Sequence, residues 1–309
     1  MGLKGLKIAV VVNPAAANGI TAKRWPEIAA LMKKEGLSFD TLMTAAPEHA
    51  TELTRQALQK GCDLVVSVGG DGTHNEVVNG FFTPDGPVRP EAQLGFISMG
   101  TGSDLIKTLQ IPKEPAAAIK HLLESPPREI DVGRLSFMSY RGGKEIRYFI
   151  NIAGLGLDGD TVDRVNRTSK ALGGFVSFLW GTMASLLLYR NQEMAIIVDA
   201  KPVFDGPVTV VAVANGRYFG GGMCIAPHAQ MADGLFDIII MHSLTKPNFI
   251  VNLPKVYRGS HLTHPNCIAL RGQKVTVQTE QALLNLDGEQ PGRGPVEVEL
   301  LPLALRVKA

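Results

Sequence analysis

The chain has 309 residues, of which 45% are hydrophobic and 19% charged, and a formal net charge of +2. That length supports a real core in one large domain or two ordinary ones, and the balanced charge lacks the concentrated basic face that a nucleic-acid partner needs. Cys62, Cys224 and Cys267 stand far apart without a CxxC spacing, which argues for a reducing compartment and against a disulfide frame or a zinc site.

The apolar run Ile8–Val12 is too short for a signal peptide and leads straight into a turn, so a cytoplasmic location is expected. Elements then alternate. Ile8–Val12, Phe39–Met43, Asp63–Val68 and Leu94–Ser98 read as strands. Thr21–Glu35, Ala50–Lys60, Thr73–Phe81, Asp104–Leu109 and Ala116–Leu123 read as helices, with Glu129–Leu135 extended. This βαβα order predicts a parallel sheet flanked by helices, with ligands at the carboxyl ends of its strands.

The pattern changes after Gly133. Strand-like runs follow one another at Tyr148–Ala153, Met194–Val198, Val208–Asn215, Leu235–Met241, Lys274–Gln278 and Val296–Leu300, and a helix is expected over 246–257. Turn signals at Arg141-Gly142-Gly143, Asp205-Gly206-Pro207 and Arg271-Gly272 separate several of them. The expected organisation is an α/β domain over 1–133 and a mostly antiparallel β-rich domain over 134–309. The last strand is free to return to the first domain, and the active site is expected in the cleft between the two. The stretch Ala171–Tyr189 carries no charge and approaches the ~20 residues of a membrane span. A core helix, a lipid-facing helix and a span all remain open for it.

The strongest chemical signal is Gly69-Gly70-Asp71-Gly72-Thr73, between a buried strand and a helix start. Glycines let backbone N–H groups approach a phosphate, and the helix start adds partial positive charge. Asp71 would repel a bare phosphate, so magnesium between it and a nucleotide is the better account. A tight turn with a Thr73–Glu76 capping box is the plainer alternative. Met99-Gly100-Thr101-Gly102-Ser103-Asp104 repeats the arrangement with a second carboxylate, and Asn13-Pro14-Ala15-Ala16-Ala17-Asn18-Gly19 offers a small-residue turn after the first strand. Acidic turns recur at Asp131-Val132-Gly133, Ala232-Asp233-Gly234 and Leu286-Asp287-Gly288-Glu289. Extended chain would put Asp287 and Glu289 on one face, where crowding suits a general base. A type I′ turn with an exposed Asp-Gly is the alternative.

In order, NPAAANG, GGDGTHNEVVNG, GTGSD, DVG, NIAGLGLDG, ADGLFD and NLDGE resemble the bacterial diacylglycerol kinase-like lipid kinases, relatives of diacylglycerol, sphingosine and ceramide kinases. The fold that this resemblance implies is the α/β nucleotide domain and β-rich second domain already expected. It implies an ATP site lined by Asn13, Pro14, Ala15, Ala16, Ala17, Thr44, Gly70, Asp71, Gly72, Thr73, His74, Asn75, Glu76 and Thr101. By the same resemblance, Asp71 and Asp104 organise the catalytic magnesium, with Asp131 in their acidic network. Asp233 holds a second, structural magnesium with the carbonyls of Gln230 and Leu235. Glu289 is the proton acceptor, with Asp287 beside it as the other candidate. Four positions depart from the usual pattern: Ala17-Asn18 stands where many members carry a serine-glycine, Ser103 replaces an asparagine and Leu105 a phenylalanine.

The implied activity is phosphorylation of a lipid hydroxyl by ATP with Mg2+, diacylglycerol being the default acceptor. The lipid would be presented by a membrane surface contacted peripherally, over the 171–189 stretch or Gly220-Gly221-Gly222-Met223, and a homodimer is compatible with it. Two alternatives are an NAD kinase-like enzyme and a catalytically silent nucleotide-binding regulator.

Overall fold

Buried β-branched runs decide the architecture of the first part of the chain. In the computed structural model, which describes residues 3, 5–157, 159 and 189–309, strands β1 (Ile8–Val12), β3 (Leu64–Gly69) and β6 (Gln93–Ser98) are almost wholly buried. Strands buried on both faces are the mark of a parallel sheet covered by helices. β2 (Phe39–Met43) pairs with β1, β1 with β3 and β3 with β6, all parallel. The chain divides into two units, Met1–Ile130 with Leu303–Ala309, and Asp131–Pro302. The return segment belongs to β16 (Gly292–Lys308), whose Arg306 and Val307 pair in parallel with Gln93 and Leu94.

Five helices accompany this first sheet: α1 (Ile20–Lys34), α2 (His49–Gln59), α3 (Asp71–Gly80), α4 (Asp104–Leu109) and α5 (Pro115–Glu124). The spacing of Trp25, Ile28 and Met32 turns one face of α1 onto Val10, Val66 and Val68, and Ile119 and Leu122 of α5 join the same core. Burying one such side chain contributes roughly 1.5–3 kcal/mol. A short hairpin, β4 (Phe82–Thr83) with β5 (Gly86–Pro87), follows α3.

The second unit is antiparallel. Its strands are β7 (Pro127–Ser139), β8 (Lys144–Phe149), β9 (Ile152–Gly156), β10 (Gln192–Val198), β11 (Lys201–Ala214), β12 (Phe236–His242), β13 (Cys267–Gly272), β14 (Lys274–Gln278) and β15 (Leu284–Leu286). The order runs β13-β12-β11-β10-β14-β16, with β9 between β11 and β15 and with β7 beside β8. One core holds Phe137, Phe149, Val211, Phe236 and Ile238, with Phe149 and Phe236 stacked at 5.7 Å. On the other face Ala212, Ile225, Ile239 and Met241 pack with Phe249 and Val256 of α6 (Lys246–Tyr257).

Two expectations for this unit need correction. Tyr148–Ala153 is two strands, broken where the Asn215 amide donates to the Ile150 carbonyl and Asn151 donates to the Tyr218 carbonyl. Asp205-Gly206-Pro207 is inside β11, paired with β10. The turn is instead Asp199-Ala200, both at positive φ, which joins β10 to β11. The 171–189 stretch lies outside the described residues apart from Tyr189. Among the described residues no helix is long and apolar enough to cross a membrane.

Candidate active site

In the first unit the polar turns all follow the carboxyl ends of parallel strands. Asn13 follows β1, Thr44 follows β2, Gly70 follows β3 and Met99-Gly100-Thr101 follows β6. Their main chains are tied together. The Asn13 N–H donates to the Val68 carbonyl (3.0 Å), Thr44 to Val12 (2.9 Å) and Met99 to Gly69 (2.7 Å). The Asn13 side chain donates to Thr73 Oγ1 (3.0 Å) and accepts from the Ala15 N–H (3.0 Å).

The two glycine turns touch backbone to backbone. A Cβ on Gly100 would lie 3.0 Å from the Gly70 Cα, and one on Gly69 would lie 2.5 Å from Thr73 Oγ1. Helix α3 begins at Asp71 rather than Thr73, and Gly70 precedes it without a side-chain cap. The capping box therefore does not form. Thr73 accepts from Asn13, and Glu76 Oε2 accepts the Ala50 N–H at 3.1 Å. The start of α3 is left to backbone N–H groups beside two bare glycines, the arrangement that binds anions.

Asp71 points from this turn to the start of α4, where its carboxylate accepts the N–H groups of Asp104 (3.3 Å) and Leu105 (3.4 Å). Burial pushes its carboxyl above the usual range, and those two amides and the Lys107 ammonium pull it back. Asp104 is buried and receives Lys107 Nζ at 3.0 Å. Ser103, at φ 52, holds a left-handed conformation that asparagine tolerates better. Its hydroxyl compensates through Gly100 O (2.8 Å) and Ser98 Oγ (3.0 Å).

The remaining predicted positions divide. Pro14 to Ala17 and exposed Thr101 border these turns, and Ala17 and Asn18 both adopt positive φ. The side chains of His74, Asn75 and Glu76 are buried. His74 Nδ1 lies 2.7 Å from Ser67 Oγ, its ring meets Phe96 edge-on, and burial drives its pKa down to about 3.

In the second unit, Asp287 and Gly288 both take positive φ, and Leu286 and Glu289 exchange backbone hydrogen bonds of 2.8 and 3.0 Å across them. This is a two-residue hairpin turn, so the reading of extended chain with both carboxylates on one face is overturned. Asp287 is buried, and its Oδ1 accepts the Ile152 N–H at 2.8 Å. Glu289 is half-buried and paired with Arg147 Nη1 at 3.2 Å. Asp131 is wholly buried and holds the loop around Asp233, its Oδ2 accepting the Gly234 N–H at 2.8 Å. Asp233 is paired with Arg271, which also reaches Asp237 at 3.5 Å, and Gln230 on the same loop is exposed. Met223 is buried, and Gly220, Gly221 and Gly222 before it all take positive φ.

Sequence reasoning gave Arg147 no part and named Arg271 only in a turn signal with Gly272. For Arg271 a signal existed, since it stands opposite Asp237 once β12 and β13 pair. For Arg147, 142 positions from Glu289, there was none.

Among the described residues no group of three or more His, Cys, Asp or Glu side chains could hold a metal by itself. Asp71 nevertheless fits a magnesium ion carried on nucleotide phosphates, because such an ion keeps most of its waters and needs only one or two carboxylates, and Asp104 beside it would share its charge with Lys107. The Asp233 loop fits a second ion less well, since Arg271 already neutralises the carboxylate.

The two units have the fold class shared by NAD kinases and diacylglycerol kinases. At this level the chain resembles an NAD kinase from Archaeoglobus fulgidus solved in complex with ATP, with TM-score 0.53, 15% identity and coverage of 98% of this chain and 93% of that one. A diacylglycerol kinase structure from Bacillus anthracis str. Sterne gives TM-score 0.75, 22% identity and coverage of 98% and 97%. Residues 7–135 match the family described as the diacylglycerol kinase catalytic domain, and 151–309 match the YegS C-terminal NAD kinase beta sandwich-like domain. A diacylglycerol kinase of Bacillus subtilis (strain 168) is 31% identical over 93% of this chain and 91% of its own length. That of Staphylococcus carnosus (strain TM300) is 29% identical over 93% and 89%. The chain belongs to the bacterial diacylglycerol kinase-like family and is a lipid kinase, a phosphotransferase with a hydroxyl acceptor.

Proposed function

We propose that this lipid kinase transfers the γ-phosphoryl group of ATP to the free hydroxyl of diacylglycerol, giving phosphatidic acid and ADP. One observation carries the nucleotide half. Asp71 and Asp104 meet at two glycine turns whose backbones touch, so phosphates could approach main-chain N–H groups beside two carboxylates. Magnesium held by Asp71 and Asp104 through its waters would supply charge neutralisation on the phosphates. The Asn13–Thr73 bond fixes the first turn against the second, which favours positioning as the main source of acceleration.

Glu289 is the better candidate for the base. The Asp287 carboxylate is committed to the buried Ile152 amide, whereas Glu289, which closes the same turn opposite Leu286, is partly exposed and faces Arg147. In this reading the lipid oxygen attacks the γ-phosphorus, its proton passes to Glu289, and the bond to the β-phosphate oxygen breaks. Diacylglycerol as acceptor rests on the relatives at 29–31% identity, which bear that substrate in their names. The NAD kinase likeness, at 15% identity, extends only to fold.

The test is an assay with labelled ATP and magnesium in which vesicles carry diacylglycerol, sphingosine or a polyprenol separately, with NAD in a further tube. Label should enter phosphatidic acid alone. Label in another lipid or in NADP, with none in phosphatidic acid, overturns the assignment.

A further inference from the structure

Helix α6 has two unlike faces. Phe249 and Val256 are buried, with Leu253 and Tyr257 packed beside them in the core of the second unit. The opposite face carries Pro247, Ile250, Val251, Pro254, Lys255 and Arg258, all exposed. Val251 is 73% exposed, more than any other large apolar side chain among the described residues, and Ile250 beside it is 40% exposed. Successive large apolar side chains facing outward cost solubility and mark an interaction surface.

Charge says what covers it. From Ile238 to Thr279 there is no aspartate or glutamate, while Lys246, Lys255, Arg258 and Lys274 fall in that stretch beside Arg271, whose charge is met by Asp233 and Asp237. Lys246 opens α6, and Lys255 and Arg258 flank the apolar strip at its other end. The chain as a whole is almost neutral, at +2, so the bias is local. An apolar strip bordered by cations, with no carboxylate on its element, matches the headgroup layer of an anionic bilayer. The long lysine and arginine stems let the charges reach headgroup phosphates while the strip sinks to the acyl boundary.

We infer that α6 is a membrane-docking helix, laying Ile250, Val251 and Pro254 into a bilayer surface while Lys255 and Arg258 bind its anionic headgroups. This rests on the lipid-kinase reading only in supposing that the substrate is met at a bilayer. It adds the element that makes contact and the lipid charge that element selects. The cations retain the enzyme on membranes that carry negative lipid, including the phosphatidic acid that the proposed reaction would deposit.

The test uses the full chain in co-sedimentation with vesicles of phosphatidylcholine alone or of equimolar phosphatidylcholine and phosphatidylglycerol, without ATP. The wild type should bind the mixed vesicles and release at high salt. Lys255→Glu/Arg258→Glu should weaken binding by on the order of five-fold or more per charge changed. Val251→Glu should weaken it by about ten-fold. Unchanged circular dichroism and melting temperature would exclude misfolding in these surface variants. In the transfer assay, the same variants should lose rate on vesicle-borne diacylglycerol but keep it on a dispersed short-chain analogue. Equal binding to both vesicle types, wild-type binding by the variants, or no binding to either vesicle (the result an acidic protein partner would give) overturns the proposal. Because sedimentation involves no phosphoryl transfer, failure of the kinase reading in the labelling assay is a separate result.

Discussion

In the first unit, Asp71 is held by main-chain N–H groups of α4 with Lys107 as the nearby cation. In the second, Glu289 and Asp233 each face an arginine. The contrast is chemical. A carboxylate held chiefly by neutral amides keeps its attraction for an incoming divalent ion, and burial makes its charge costly until that ion arrives. A carboxylate paired with guanidinium is already neutralised and oriented, and it gains less from a metal. Asp71 is therefore the carboxylate less committed to a protein cation, whereas Glu289 and Asp233 are set in fixed directions by arginine.

The largest effect should come from Asp71→Asn. The amide keeps an acceptor for one of the two α4 N–H groups, loses the other of these long contacts, and loses the charge that magnesium would meet. Transfer of labelled phosphate should fall by at least about 10³-fold. Because the native state raises the Asp71 pKa, ionisation of this group at neutral pH opposes folding. The variant should then melt higher than wild type without ligand. A melting temperature that falls together with activity would mean that Asp71 is a structural carboxylate and that the contrast between units is false. Glu289→Gln comes next, with kcat reduced by about 10²–10⁴-fold and ATP affinity kept, measured by titration against turnover. Loss of ATP affinity as well would remove Glu289 as the base.

The same contrast separates what could be read from the sequence from what could not. Alternating apolar runs and helical spacing disclosed the parallel sheet, and the bounds of β1, β2, α4, β14 and α6 fall where local pattern puts them or within a residue of it. Gly-Gly-Asp-Gly and Gly-Thr-Gly were legible because each is a local strand-to-helix turn. Their contact was not, because it depends on β3 and β6 being neighbours in the sheet. Local rules also misled. Thr73 and Glu76 have capping-box spacing, but Asn13 and the Ala50 amide claim them. Asp287 and Glu289 have strand spacing, but the left-handed pair Asp287-Gly288 folds them into a hairpin turn. Gly206-Pro207 has turn composition, but its pairing with Glu193 and Met194 keeps it in strand. In the first and third cases a partner outside the segment overrode a local preference of about 1 kcal/mol, and in the second one local pattern overrode another.

A middle-sized effect concerns the base of the Asp71 helix. His74 is neutral and buried, with a pKa near 3 against 6.5 when exposed. The unfolded chain takes up the proton first on acidification, so this contribution to stability is complete above pH 6.5 and is lost as pH falls toward 3. Two pH units below 6.5 the loss should be about 2–3 kcal/mol. Urea unfolding of wild type against His74→Leu should show a steeper decline below pH 6.5 for wild type. Parallel curves would mean that the ring does not stay neutral, and that α3 lacks the dry support assigned to it. The proton uptake of His261, which burial also shifts downward, is common to both proteins and cancels in the difference.

The smallest effect tests the second unit's side of the contrast. Arg271 lies between Asp233 and Asp237, and burial raises the Asp237 carboxyl while Arg271 lowers it. Arg271→Met should cost about 1 kcal/mol, since the pair is partly exposed and screened by solvent. It also removes the guanidinium from between two carboxylates and leaves His228 as the cationic group acting on Asp237. If guanidinium and divalent metal compete for that place, millimolar magnesium should raise the melting temperature of Arg271→Met by more than it raises that of wild type. The gain should disappear with chelator, and Asp233→Asn on the same background should abolish it. An equal magnesium response in wild type and variant would mean that arginine and metal do not exclude each other there. The Asp233 loop would then accept a metal as readily as the Asp71 turn, and the division between an amide-held carboxylate open to metal and arginine-held carboxylates closed to it would fail at this site.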